Sequence, residues 1–152
     1  MLKVISGGQT GADRIGLIVA KELGLETGGT APKGYRTENG PNLELRDLFA
    51  LTEAETSNYG VRTEINVKDA DLTVIFGDIT SQGTSLTIHL CNKHRKKYVA
   101  NPMVIELVKA LRDNNVKVLN VAGNRGSKLS DRQKTDIYDK LRSALISYTQ
   151  EL

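Results

Sequence analysis

Tryptophan is absent from the 152 residues and phenylalanine occurs twice, so aromatic side chains make up only 5% of the chain. That scarcity argues against the stacking platforms on which single-stranded nucleic acids lie. A lone cysteine, Cys91, excludes an intramolecular disulfide and suits a reducing cytoplasm. It stands near Ile88 and Leu90 with no Cys or His partner at metal-ligand spacing, so it reads as a buried structural thiol. His89 and His94 do not share a helix face, which removes a zinc pair. No apolar run approaches the ~20 residues of a membrane span. Met1 leads directly into a strand rather than a signal peptide, so the expectation is a cytoplasmic protein with no membrane partner. Neither a repeat nor a low-complexity tract is visible.

What remains is an ordinary globular composition, 39% hydrophobic and 26% charged. The length predicts a single domain over residues 1–152 with a substantial core. A net charge of +3 mildly favours anionic ligands. The Lys and Arg residues are scattered, so nucleic acid is not an expected partner. The one dense cluster, His94-Arg95-Lys96-Lys97, reads as a solvated helix end.

Short apolar runs alternate with helical segments, which predicts an α/β fold with a mostly parallel sheet of about five strands and helices on both faces. Strands are expected at 2–5, 28–31, 72–76, 98–100 and 116–121. Helices are expected at 12–23, 58–69 and 85–94, then around Val104, Leu107, Val108 and Leu111. The last helix opens on a capping box, Ser130 with Gln133, and buries Ile137, Leu141, Leu145 and Tyr148. Residues 32–56 read as a long polar connection, a kind of loop that is often functional.

Directly behind the first strand, Ser6-Gly7-Gly8-Gln9-Thr10-Gly11-Ala12-Asp13 turns into a helix. Such a junction aims backbone N–H groups at one spot beside the positive end of the helix dipole, a seat for phosphate or another oxyanion. Glycine admits backbone angles and close approach that a Cβ blocks, so a side chain at Gly8 is expected to fill the seat. The spacing is neither a dinucleotide fingerprint nor a Walker A loop. Two further loops, 77–84 and 122–128, also leave predicted strand ends and carry glycine with small polar residues. In an open parallel sheet these edges hold ligands.

Lys33, Arg36, Arg62, Arg125 and Lys128 lie in or beside these segments. Each can be a solvated cation or a phosphate partner; Arg125, held between Gly123 and Gly126, reads as the latter. Tyr59, Arg62, Thr63 and Asn66 share one helix face, either a solvent face or a pocket wall, while Val61 and Ile65 occupy another. Asp13 and Asp78 can serve a metal or a ribose hydroxyl, although Asp13 is also what helix electrostatics selects. No nucleophile elbow or Cys/His pair appears, and no catalytic or metal-ligating set is expected.

The opening octet, then Pro32-Lys33-Gly34, then Tyr59 with Arg62-Thr63-Glu64 and Asn66-Val67, then Gly83-Thr84 with Leu86-Thr87, and finally Leu119-Asn120-Val121-Ala122-Gly123 with Arg125 follow one order. That order resembles the molybdenum carrier family, so named by similarity, in the circularly permuted YpsA-like branch of the SLOG superfamily. The resemblance implies a Rossmann-like three-layer sandwich and a homo-oligomer. It also implies a phosphate-bearing nucleotide-like ligand: an ADP-ribose-type signalling nucleotide, or the molybdenum cofactor as bound cargo rather than a resident cofactor. The loops, their neighbouring cations and the resemblance together give the expected ligand-binding residues: Ser6, Gly7, Gly8, Gln9, Thr10, Gly11, Asp13, Lys33, Arg36, Tyr59, Arg62, Asn66, Gly83, Thr84, Gly123 and Arg125.

Related phosphoribohydrolases carry a glutamate three residues after the Gly-Thr pair. Here that position is Thr87, which offers no carboxylate for acid–base work. Gln82 also stands where the family often has glycine. The departure favours a non-catalytic protein that carries or sequesters its ligand, for example a phage protein that blunts host immune signalling. A nucleotide N-glycosidic hydrolase using Asp13 or Glu64 is the alternative, and a nucleic-acid-binding module is a third reading.

Overall fold

The computed structural model describes residues 1–151. β1 (Lys3–Ile5) turns through the glycine loop into α1 (Ala12–Glu22), and the chain returns as β2 (Glu26–Gly28), parallel to β1. Gly29 then breaks the strand at φ 121°, where a Cβ would stand 2.2 Å from the Ser6 carbonyl oxygen. The single strand expected at 28–31 is therefore two, and β3 (Thr30–Ala31) leaves the sheet. The segment expected to be irregular carries a hairpin of β4 (Arg36–Thr37) and β5 (Gly40–Pro41), the short helix α2 (Glu44–Asp47), and β6 (Thr52–Glu53) paired with β3.

The remainder alternates regularly. α3 (Tyr59–Asp69), β7 (Leu72–Phe76), α4 (Gln82–Lys93), β8 (Lys97–Ala100), α5 (Val104–Asp113), β9 (Val118–Gly123) and α6 (Asp131–Gln150) follow in turn, with a 3-10 turn at Gly126–Lys128 before α6. The five-stranded sheet runs β2-β1-β9-β7-β8, and every pairing in it is parallel. This is the α/β layout the sequence predicts. β7 is buried at all five positions, as a strand covered on both faces must be.

α1, α5 and α6 pack on one face, where Val19, Leu107, Leu111, Leu141 and Leu145 meet Val4, Val74, Leu119 and Val121. Gly16 lets α1 approach closely, since a Cβ there would lie 2.6 Å from that of Val121. α3 and α4 cover the other face through Val67, Leu90 and Cys91, and burial pushes the Cys91 thiol up. Residues 32–56 own a small core of Leu45, Phe49 and Leu51 against Leu17 of α1 and Ala31. Each such apolar side chain is worth about 1.5–3 kcal/mol of burial, enough to hold a loop-rich segment against the sheet edge.

Most boundaries shift by a residue or two, and two of the shifts have clear local reasons. α4 starts at Gln82 rather than 85, because Ser81 adopts the extended N-cap conformation at φ −63° and ψ 151°. Gly83 and Thr84 thus belong to a helix rather than a loop. β9 begins two residues late, after Asn115 turns the chain at φ 46°, and Asp71 accepts the Lys117 and Val118 N–H groups at 2.9 Å. The capping box at α6 forms as predicted: Ser130 Oγ accepts the Gln133 N–H at 3.1 Å and Gln133 Oε1 accepts the Ser130 N–H at 2.8 Å. Among the described residues no helix is long and apolar enough to cross a membrane.

Candidate functional site

β1 lies beside β9 and β9 beside β7, with Ile5 opposite Asn120 and Phe76 opposite Gly123. The three glycine-containing loops therefore leave neighbouring strand ends on one edge of the sheet. From that centre the chain runs outward in opposite directions, β1 to β2 and β7 to β8. This is the topological switch point at which open parallel sheets bind ligands.

The loops interlock at Asn124, a residue the sequence reading passed over as a spacer between Gly123 and Arg125. Its side-chain oxygen accepts the Asp78 N–H at 2.6 Å, and its amide nitrogen donates to Ser81 Oγ at 3.0 Å and Thr84 Oγ1 at 3.3 Å. Its carbonyl oxygen accepts the Ala12 N–H at 3.1 Å. Two glycines make room for it: a Cβ on Gly11 would come within 2.3 Å of the Asn124 carbonyl oxygen, and one on Gly77 within 2.0 Å of Oδ1. Both sit at positive φ, 84° and 111°.

The opening loop is less vacant than its sequence predicts. Gly8 donates to Ser6 Oγ at 3.2 Å, Gln9 to Asp13 Oδ2 at 3.2 Å, and Thr10 to Gln9 Oε1 at 3.0 Å. Asp13 is buried and faces the Arg62 guanidinium, Nη1 to Oδ2 at 3.2 Å. Burial pushes its carboxyl above the ordinary aspartate range, against the pull of Arg62, the Gln9 N–H and Arg14. Arg62 crosses directly over Gly7, where a Cβ would lie 1.8 Å from Nη1, and its guanidinium carbon is 5.5 Å from the Tyr59 ring centroid. Gly8 turns the other way. A Cβ there would meet Leu45 at 2.7 Å, so a side chain would enter the core rather than fill an anion seat.

Glu38, at the tip of the β4–β5 hairpin, reaches the same edge. Thr10 Oγ1 donates to Glu38 Oε2, Ser127 N–H donates to it at 3.1 Å, and Ser127 Oγ donates to Oε1. Arg125 Nε stands 3.7 Å from Oε1. The bonds from Ser127, followed by that from Thr10, hold the carboxyl below the usual glutamate range. The sequence marked the segments 32–56 and 122–128 but neither Glu38 nor Ser127 within them, because nothing local links a hairpin tip to a loop 89 residues away.

The other predicted residues separate into two groups. Tyr59 is exposed beside Arg62, and Gly60 lies near Leu86 of α4, so the start of α3 and the start of α4 are neighbours. Gly83 is open, with nothing within 4 Å of an added Cβ, whereas Thr84 is buried against Asn124. Gly123, at φ 147°, packs against Phe76 and Ala12. Lys33 and Arg36 are exposed on the 32–56 segment. Asn66 is turned inward and closes its amide on Thr30, accepting the N–H at 2.8 Å and donating to the carbonyl at 2.9 Å. The polar face of α3 thus runs from the exposed Tyr59 through the shielded Arg62 to the buried Asn66, while Val61 is exposed.

The acids named for a hydrolase are both committed elsewhere. Asp13 is spent on Arg62 and Gln9. Glu64 pairs with His94 at 2.7 Å and Lys93 at 3.2 Å, at the far end of α4, about 15 Å along the helix from Gly83. Thr87 folds back onto the Gly83 carbonyl at 3.1 Å. Among the described residues no group of three or more His, Cys, Asp or Glu side chains is placed to hold a metal ion.

No curated protein matches the chain. A crystal structure from Syntrophus aciditrophicus SB, of a protein provisionally named a molybdenum carrier, is 30% identical to the chain. It superposes with a TM-score of 0.79 over 97% of this chain and 94% of that one. Much weaker is the likeness to (E)-4-hydroxy-3-methyl-but-2-enyl diphosphate reductase, with 14% identity and a TM-score of 0.39 over 99% of this chain and 59% of that one. A family model matches residues 4–147, nearly the whole length and all three glycine loops. The chain belongs to the circularly permutated YpsA SLOG family.

Proposed function

We propose that this protein binds a phosphorylated nucleotide-like small molecule at the edge where its three glycine loops meet, and carries or sequesters it without acting on it. One observation carries the reading. Loops from three adjacent parallel strands close on Asn124, with Arg62 and Arg125 beside them as cations suited to phosphate oxygens. The exposed Tyr59 and Leu86 offer a flat heterocycle an aromatic and apolar wall. The ligand residues are those of the opening loop with Tyr59, Arg62, Gly83, Thr84, Gly123 and Arg125. Lys33 and Arg36 are outer cations.

Two cargos share the required chemistry, the molybdenum cofactor and an ADP-ribose-type signalling nucleotide. The name of the Syntrophus protein speaks for the first. A stand-alone sponge against immune signalling, as a phage would use, suits the second. In this reading the chain is one cytoplasmic domain acting as a homo-oligomer.

Mass spectrometry of the small molecule that co-purifies with the native protein identifies the cargo. Calorimetry with nucleotides, cyclic ADP-ribose isomers and molybdenum cofactor then measures it. Absence of any binding below about millimolar ends the proposal.

A further inference from the structure

The Glu38 carboxylate sits as a bound oxyanion would. It takes a hydroxyl from Thr10 and both a backbone N–H and a hydroxyl from Ser127, with the Arg125 guanidinium alongside. The donors belong to the glycine loops behind β1 and β9. Gly126 N–H bonds Thr10 Oγ1 at 3.0 Å, locking those two loops to each other independently of Glu38.

The carboxylate arrives on a short element, anchored at its base by Tyr35 on the Leu45 core and by the buried Thr37. The hairpin is two residues per strand, Arg36 opposite Pro41 and Thr37 opposite Gly40. Apart from its carboxylate contacts, the tip residue is tied to the body by its own N–H, which donates to Gln9 Oε1 at 2.8 Å. A two-stranded hairpin of this length has no stability of its own.

Beside the seat opens a pocket of about 580 Å3, lined by Thr10, Glu38 and Ser127 together with Arg14, Lys134 and Tyr138. That volume falls in the range of small-molecule sites. Arg14 brings a buried Nε that has no partner among the described residues. Withdrawing Glu38 would take the carboxylate away from Arg125, with Arg14 and Lys134 lining the adjoining pocket. A doubly charged phosphate entering there would bring these cations more negative charge than the carboxylate it replaces.

We propose that Glu38 is a built-in plug. The β4–β5 hairpin straps its carboxylate into an oxyanion seat formed by Thr10, Ser127 and Arg125, and the phosphate group of a ligand displaces it and lifts the hairpin. The proposal rests on the reading that these loops hold a phosphate-bearing molecule, and adds that the free protein competes with its own ligand. A ligand's apparent affinity is reduced by the fraction of molecules in which its seat is open.

The test uses inorganic phosphate as probe, with calorimetry on the natural chain, Glu38→Gln, Glu38→Ala and the double variant Glu38→Ala/Ser127→Ala. Glu38→Ala is expected to bind phosphate at least about tenfold more tightly than the natural chain, the gain if the seat is open in under a tenth of molecules. The double variant is expected to lose most of that gain. Equal affinity in the natural chain and Glu38→Ala overturns the plug, as does absence of phosphate binding in every variant, or a gain that Ser127→Ala leaves intact. Hydrogen exchange on the natural chain gives a readout free of folding defects. Phosphate should speed exchange of the Glu38 amide, and unchanged exchange at saturating phosphate overturns the strap. The two readings fail separately: tight phosphate binding by Glu38→Ala with no nucleotide-like compound bound sinks only the nucleotide, and nucleotide binding indifferent to Glu38 sinks only the plug.

Discussion

Arg62 lies across Gly7 and meets the buried Asp13 carboxylate at 3.2 Å, joining the start of α3 to the first turn of α1 over 49 residues of chain. Both side chains are shielded, 14% and 5% exposed, so the pair is one whose halves are costly to separate. Arg62→Ala is expected to lower stability by about 3–5 kcal/mol near neutral pH. The pH dependence has a fixed sign. The folded state raises the Asp13 pKa above its unfolded value, so its ionised form is the disfavoured one. Removing Arg62 raises it further. The deficit should therefore be largest above the raised pKa and shrink as pH falls and Asp13 takes up its proton. Urea unfolding at pH 7 and pH 4 measures this, and a deficit independent of pH contradicts the assignment.

Asn124→Ala strips partners from Asp78 N–H, Ser81 and Thr84 at once. A loss of about 1–3 kcal/mol is expected from the donor left unpaired. Amide exchange should rise at Asp78 while residues in α6 stay protected, because the defect is local to the loop junction.

Two glycines from the same predicted site should behave oppositely. Gly11→Ala places a Cβ against the Asn124 backbone at φ 84°, and the backbone angle alone costs about 1–3 kcal/mol. Gly83→Ala meets open space in a helical position, so stability should be unchanged or improved by up to about 1 kcal/mol. If Gly83→Ala keeps its melting temperature yet weakens binding of a confirmed ligand, the ligand lies against α4. Unchanged binding moves the ligand away from that helix.

Lowering pH should release the hairpin. The fold depresses the Glu38 pKa, chiefly through Ser127 and then Thr10, so the stability it contributes is present above the ordinary glutamate value of 4.5. That contribution is lost as pH falls through the depressed value. Arg125 stands 3.7 Å from this carboxylate, and Arg14 and Lys134 line the pocket beside it. Amide resonances of Glu38 and Ser127 followed from pH 6 downward should shift together in the natural chain and stay flat in Glu38→Gln.

Arg125→Ala tests the outer cation. Its side chain is 51% exposed, so the affinity lost for a confirmed phosphate ligand should sit near the lower end of charge-assisted bonds, about 1.5 kcal/mol. Calorimetry on the two proteins reads it directly, and an unchanged affinity places the phosphate elsewhere.

Local pattern located α1, α3, α5, α6 and the buried strand β7: apolar faces on the helices, a capping box at the start of α6, and a short apolar run for β7. The glycine loops were legible for the same reason: Gly11, Gly77 and Gly123 need angles that only glycine takes without strain. The small strands within 32–56 were not legible. Pairs of two residues have no period, and their partners are set by packing on Leu45, Phe49 and Leu51.

What the sequence determined by itself is local: which segments coil or extend, where glycine permits a close turn, and the ordered motifs that mark the family. Only the tertiary structure decided which groups meet. It gave the Gly8, Gln9 and Thr10 N–H groups partners within the protein, closed Asn66 on Thr30, and carried Glu38 to Ser127. The physical reason is that a hydrogen-bond donor fixes only the chemistry of its partner. Whether a ligand or the protein's own carboxylate fills that place depends on which chain segment the folded core brings within about 3 Å.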